Sequence, residues 1–166
     1  MMSREWQSLG HETIRTIQEN QDGAPIRLSA IANALGIKVI ATTLPNGISG
    51  EIRPDPENEG HFIIKVNRND SARRQRFTVA HEIGHFLLHR DEIGNGITDD
   101  VLYRSSLSDR REAQANRIAA DLLMPQNLVD EWMDRARTLK VDNVIGFLAD
   151  KFNVSEAAMK IRLGIP

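Results

Sequence analysis

The run Arg76-Phe77-Thr78-Val79-Ala80-His81-Glu82-Ile83-Gly84-His85-Phe86-Leu87-Leu88-His89 decides how this 166-residue chain is read. Three of the five histidines in the chain lie in it. His81-Glu82-Ile83-Gly84-His85 is an HExxH pattern. On a helix, at about 100° per residue, its two imidazoles project about 40° apart and can reach one metal ion. Glu82 points to the side, where it can act as general base for a water activated by the metal rather than as a ligand. A chain of this composition would contain the pattern by accident on the order of 0.01 times. Phe77, Ala80 and Phe86-Leu87-Leu88 supply the apolar positions that would carry such a helix into a core.

A catalytic zinc takes three protein ligands and keeps one position open. The chain has no cysteine, so the third ligand must be His, Asp or Glu, and His89, Asp91, Glu92, Glu112 and Asp121 are the downstream candidates. Asp91 has the six-residue offset from His85 of a metzincin-like site, but Leu88 stands where such a turn uses glycine. Helical phase favours Glu112. It shares a face with Ala115, Asn116, Ala119 and Leu123, whereas Asp121 is about 180° around the helix. If the small residues Ala115 and Ala119 mark a close contact with the histidine helix, Glu112 looks toward the metal. Asn116, one turn on, can then orient a ligand histidine. His89 lies one turn beyond His85, too far along for a single tetrahedral site, and reads as a structural or supporting residue. Gly84 costs about 1 kcal/mol relative to Ala in mid-helix, so a second element is expected to approach closely there.

The rest of the chain reads as α+β. Ser3 to about Asn20 has helical spacing with Trp6, Leu9, Ile14 and Ile17 inward, and Ser29 is placed to cap a short helix over Ala30–Leu35. Ile37–Thr42, Ile48–Arg53 and His61–Asn67 read as three strands around turn chemistry at Pro45-Asn46-Gly47 and a Pro-rich acidic loop. Asp91 to Asp109, with Gly94 and Gly96, reads as irregular and mobile. Ser108 or Asp109 can cap a helix through Glu112–Met124, and Asn127–Arg137, Val141–Phe152 and a segment from Ser155 complete the helices. The expected fold is a small three-stranded sheet flanked by helices, a zincin-like core with the metal between the HExxH helix and the Glu112 helix. Residues 1–125 would form the metallopeptidase core and 126–166 a C-terminal helical segment packed on it, one domain overall.

Charge bears on partners. Twenty-one Lys and Arg against 23 Asp and Glu give a net charge of −2, which argues against binding driven by phosphate neutralisation. Leu148–Leu163 has the outline of a helix-turn-helix, with Asn153 at the turn and Ser155 as cap. Acids and bases balance across it, so it reads as a packed tail, and direct DNA binding is not expected. Arg68, Arg73, Arg74 and Arg76 crowd the start of the histidine helix against its macrodipole, as a solvated face or a contact for an acidic partner. Tyr103, the only tyrosine, is a candidate transition-state stabiliser. The absence of cysteine, of an apolar signal core and of about 18 consecutive apolar residues leads to the expectation of a cytoplasmic protein without a membrane span.

These residues resemble the ImmA/IrrE-type zinc metallopeptidases of bacteria and their phages. Arg76–His89 is similar to that family's RFTLAHELGHLLLH segment, and Glu112–Pro125 to its ExxANxFAAxLLMP segment, with Ile118 where the family usually has Phe. The resemblance is dense from Asn67 to Pro125 and loose in the flanks. It implies one Zn²⁺ per chain held by His81, His85 and Glu112, with Glu82 as catalytic base; the same His₂Glu set also suits Mn²⁺ or Fe²⁺. It further implies a peptidase that acts on a protein partner, a helix-turn-helix repressor or an antitoxin, under stress or within a toxin–antitoxin-like pair. The alternative is a regulatory protein that works by partner binding on the same scaffold, without proteolysis.

Overall fold

The structure, a computed structural model, describes residues 1–166. Four strands, β1 (Ile37–Thr42), β2 (Ile48–Pro54), β3 (Phe62–Asn67) and β4 (Ile97–Asp100), form one sheet in the order β1-β3-β2-β4. β1 and β3 are parallel, and β2 is antiparallel to both β3 and β4. The register places Val39, Ile64, Ile52 and Ile97 in one row across the sheet. Because side chains alternate between faces, this row puts the branched apolar groups on the side where the helices pack, and Ile52, Ile64 and Ile97 are buried.

The sheet therefore has four strands where three were expected. β4 falls in the stretch that reads as irregular, because Ile97 is its only apolar residue and Gly94 and Gly96 precede it. Its pairing comes entirely from the free edge of β2, with a bulge between Ile48 and Gly50. Such an edge exists only once the chain has folded.

The helices are α1 (Arg4–Gln7), α2 (His11–Gln18), α3 (Leu28–Ala34), α4 (Ala72–Leu88), α5 (Asp109–Leu123), α6 (Gln126–Thr138), α7 (Val144–Phe152) and α8 (Glu156–Arg162). The single N-terminal helix of the sequence reading is broken in two at Gly10, which caps α2. α3 starts at Leu28 without a side-chain cap, so Ser29 lies inside the helix. Burial of Leu28, Ile31 and Ala32 stabilises its first turn instead. Ser71, Ser108 and Ser155 accept hydrogen bonds from the first-turn amides of α4, α5 and α8, as N-caps do.

Asp121 ties both ends of the chain to α5. It is fully buried, pairs with Arg162 of α8 at 2.9 Å and accepts hydrogen bonds from the Ser3 amide and hydroxyl. Arg162 also donates to the Met124 carbonyl at 2.9 Å. The arginines at the head of α4 are likewise used within the molecule. Arg68 donates to the Ala41 carbonyl, Arg73 to Asp150 and the Val154 carbonyl, and Arg76 to the carbonyls of Ile26 and Asn153. Arg74 meets Ser49, Asp70, the Val101 carbonyl and the Tyr103 ring. These contacts hold loops and the C-terminal turn against α4, which explains the cluster better than a solvated face. Asn153 at the α7–α8 turn is left-handed (φ 53°), and Leu148, Ala149, Phe152, Val154 and Met159 around it are buried. No helix is long and apolar enough to cross a membrane.

Candidate metal centre

α4 and α5 meet where side chains are smallest. A Cβ on Gly84 would stand 2.9 Å from the Ala115 carbonyl oxygen and 3.1 Å from the Ala115 Cα, so only glycine lets the helices come this close. Glu112 lies one turn before Ala115 and faces α4. Its Oε1 is 2.6 Å from His85 Nε2 and 3.5 Å from His81 Nε2.

A fourth group joins them from the sheet. Asp99 shares the buried face of β4 with Ile97, and its carboxylate lies 3.5 Å from His81 Nε2 and 3.7 Å from His85 Nε2. The four ligand atoms of His81, His85, Asp99 and Glu112 all fall within 4.8 Å of one another. Sequence reading missed Asp99, whose only local signal is its two-residue offset from Ile97, enough to put both on one face if the segment is a strand. Asp91 and Glu92, weighed as ligands, sit in an exposed turn (Arg90–Glu92) outside the cluster.

The donor chemistry fits a divalent cation. His81 and His85 Nε2 and both oxygens of Asp99 and Glu112 are buried and make no hydrogen bond. Buried polar atoms without partners are rare, and here they converge on one point. Tetrahedral zinc with bonds of about 2.0–2.1 Å requires ligand atoms about 3.3 Å apart; the His–carboxylate separations are 3.5, 3.5 and 3.7 Å, with the Glu112–His85 pair closer at 2.6 Å.

The far sides of both imidazoles are fixed. His81 Nδ1 donates to Asn116 Oδ1 at 2.8 Å. His85 Nδ1 donates to His89 Nδ1 at 2.9 Å, and His89 Nε2 donates onward to Gln114 Oε1 at 2.8 Å. These tautomers turn both Nε2 atoms toward the cluster. Burial depresses His89, in keeping with a neutral ring that accepts from His85.

Electrostatics are set by the two carboxylates. Burial alone would depress His81, but Asp99 and Glu112 outweigh it and hold the imidazole up at about 9. His85 is raised by the same two groups against its burial. Glu82 is fully buried with both oxygens unpartnered. Desolvation, then the charge of Asp99, pushes its carboxyl well above the ordinary range. Its path runs over β2 at Gly50, where a Cβ would lie 2.4 Å from Thr78 Cγ2 and 3.3 Å from Glu82 Oε2.

Tyr103 has a left-handed backbone (φ 56°). Its ring packs 4.9 Å from that of His81 and its hydroxyl is 3.1 Å from Thr78 Oγ1. Beside it, Phe77, Asn116, Ala120, Met124, Val154 and Ile161 line part of a largely apolar cleft of about 590 Å³.

Residues 32–164 match the peptidase family described as the IrrE N-terminal-like domain. The radiation response metalloprotease IrrE of Deinococcus radiodurans is 37% identical over 81 residues, 49% of this chain and 24% of that protein. The protein of the same name from Deinococcus deserti is 40% identical over 81 residues, 49% of this chain and 28% of its own. The chain thus spans about a quarter of the length of these two relatives. An uncharacterized immunity region protein of Bacillus phage phi105 is 29% identical over 125 residues, covering 75% of this chain and 73% of its own. A solved Mycobacterium tuberculosis transcriptional regulator matches with a TM-score of 0.57 over 99% of this chain and 48% of its own, at 18% identity. That likeness is one of fold.

Proposed function

Since this chain belongs to the ImmA/IrrE family, whose IrrE N-terminal-like domain matches residues 32–164, we propose that it is a zinc-dependent endopeptidase with a zincin-like centre. His81, His85 and Glu112 hold one Zn²⁺ and Glu82 is the catalytic base. The observation that carries the reading is the convergence of buried, unpartnered ligand atoms on one point beside an equally unpartnered Glu82.

When bound, the cation polarises a substrate carbonyl and lowers the pKa of water. Glu82 takes the proton of the attacking water on its carboxylate and passes it to the leaving amine. Asn116 and His89 keep the two imidazoles turned toward the cluster. Tyr103, whose ring packs on His81, can donate its hydroxyl to the oxyanion once it releases Thr78. The adjoining cleft offers apolar surface for substrate side chains. The substrate is a regulatory protein, a helix-turn-helix repressor or an antitoxin, a reading supported by the phage immunity-region relative and by the metalloproteases among the relatives.

Elemental analysis of protein purified without a His-tag tests the centre. About one zinc per chain is expected, and His81→Ala and Glu112→Ala should remove it. Glu82→Gln should keep the metal and abolish cleavage of a co-expressed repressor. Cleavage retained by Glu82→Gln refutes the mechanism, and full biological effect from that variant without cleavage favours action by binding alone.

A further inference from the structure

We propose that Asp99 is a fourth protein ligand that closes the metal site at rest, so that β4 must withdraw Asp99 before a substrate can reach the metal. This rests on the peptidase reading above and concerns how the same site is regulated.

A catalytic zinc keeps a position for water or substrate, whereas a site with four protein ligands is of the structural type. Here four donors, not three, surround one point. Asp99 lies 3.5 Å from His81 Nε2, as close as Glu112 does, and 3.7 Å from His85 Nε2. Asp99 is fully buried and neither carboxylate oxygen has a hydrogen-bond partner. A carboxylate buried there is costly unless a cation satisfies it, an imidazolium in the metal-free protein or a metal ion when one is bound. Its backbone sits opposite Gly50, the residue whose missing side chain gives Glu82 its passage. Asp99 thus enters from the side on which Glu82 must meet water.

The element that carries Asp99 is built to move. β4 has four residues, lies at the sheet edge and pairs only with β2, across a bulge. Gly94 and Gly96 on one side have φ of 53° and 150°, and Tyr103 on the other has φ 56°. Beyond β4, Val101 and Leu102 are exposed apolar residues. This end is held by the Val101 amide to the Gly47 carbonyl at 3.0 Å, by Arg74 to the Val101 carbonyl, by the Tyr103 hydroxyl with Thr78, and by packing of the Tyr103 ring on Phe77, His81 and Arg74. Releasing the Val101 contacts and the Tyr103–Thr78 hydrogen bond would let Asp99 withdraw and would free the Tyr103 hydroxyl.

The test uses cobalt(II) in place of zinc and azide as a small probe ligand. Wild-type protein loaded with Co²⁺ should show the visible bands of a tetrahedral ion and should not respond to azide. Asp99→Ala should still bind one ion per chain and should take azide with a spectral shift, at least about tenfold more tightly than wild type, because an exchangeable position has opened. The near-isosteric Asp99→Asn, whose neutral amide is a poor donor, gives the same comparison if the alanine variant is unstable. Repressor cleavage should rise in either variant. Equal azide binding by wild type and variants overturns the closed site, while loss of metal in His81→Ala and Glu112→Ala would leave the peptidase reading standing. Absence of stoichiometric metal from wild type overturns both.

Discussion

Gly84→Ala isolates the contact on which the centre depends. In a solvated helix the change would stabilise by about 1 kcal/mol through propensity alone. Here the new methyl carbon would lie 2.9 Å from the Ala115 oxygen and 3.1 Å from its Cα. Both are backbone atoms, so no side-chain rotation relieves the clash, and α5 must retreat by about half an ångström to reach ordinary van der Waals separation. Overpacking of this kind costs about 1–3 kcal/mol. Set against the propensity gain, the net loss is about 0–2 kcal/mol.

The larger effect falls on metal binding. Glu112 is on the same helix one turn away, and its carboxylate stands 2.6 to 3.5 Å from the two Nε2 atoms, so the retreat of α5 is felt directly in the ligand geometry. Zinc affinity, measured by competition with a chromophoric chelator, should fall about 10–100-fold, the range seen when supporting groups of metal sites are disturbed. Urea titration of EDTA-treated protein gives the stability change. A variant that is about 1 kcal/mol more stable than wild type and binds zinc equally well would refute the claim that this glycine exists to admit α5.

Two further outcomes are expected. Because His81 is raised from 6.5 to about 9 by Asp99 and Glu112 against its burial, it stabilises the EDTA-treated protein fully below about pH 6.5. That stability, at most about 3 kcal/mol, should be lost as pH rises through 9, with His85 shifting in the same direction. Zinc-loaded protein should show a flatter profile in the same urea series, since the metal replaces the protons, and identical slopes for both forms would count against the pair of carboxylates. Arg162→Ala leaves buried Asp121 with only its Ser3 contacts and should cost about 3 kcal/mol in urea denaturation, with zinc stoichiometry unchanged; a loss under about 0.5 kcal/mol would place the pair with weak surface bridges.

The parts of this protein that sequence disclosed are those whose signal is local. HExxH is legible because two residues four apart share a helix face, and the phase of Glu112, Ala115 and Asn116 orders a second helix in the same way. Gly84 is legible as a mid-helix cost that close packing must offset. β1, β2 and β3 announce themselves by β-branched runs and turn residues. The segment Ile97–Asp100 has no such run, and the arginines at the head of α4 gave no hint that their partners would be carbonyls of distant loops.

By itself the sequence determined the chemistry on offer: imidazoles and carboxylates without thiols, set at helical spacing, in a chain that resembles a family of zinc metallopeptidases. Tertiary structure alone decided that Asp99 joins them. A helix repeats every 3.6 residues, so the pattern within one helix fixes which side chains meet. Asp99 and His81 belong to different elements, and their separation is set by how an edge strand pairs with β2 and how α4 crosses that sheet. Those are relations of packed surfaces, and the order of residues in β4 does not encode them.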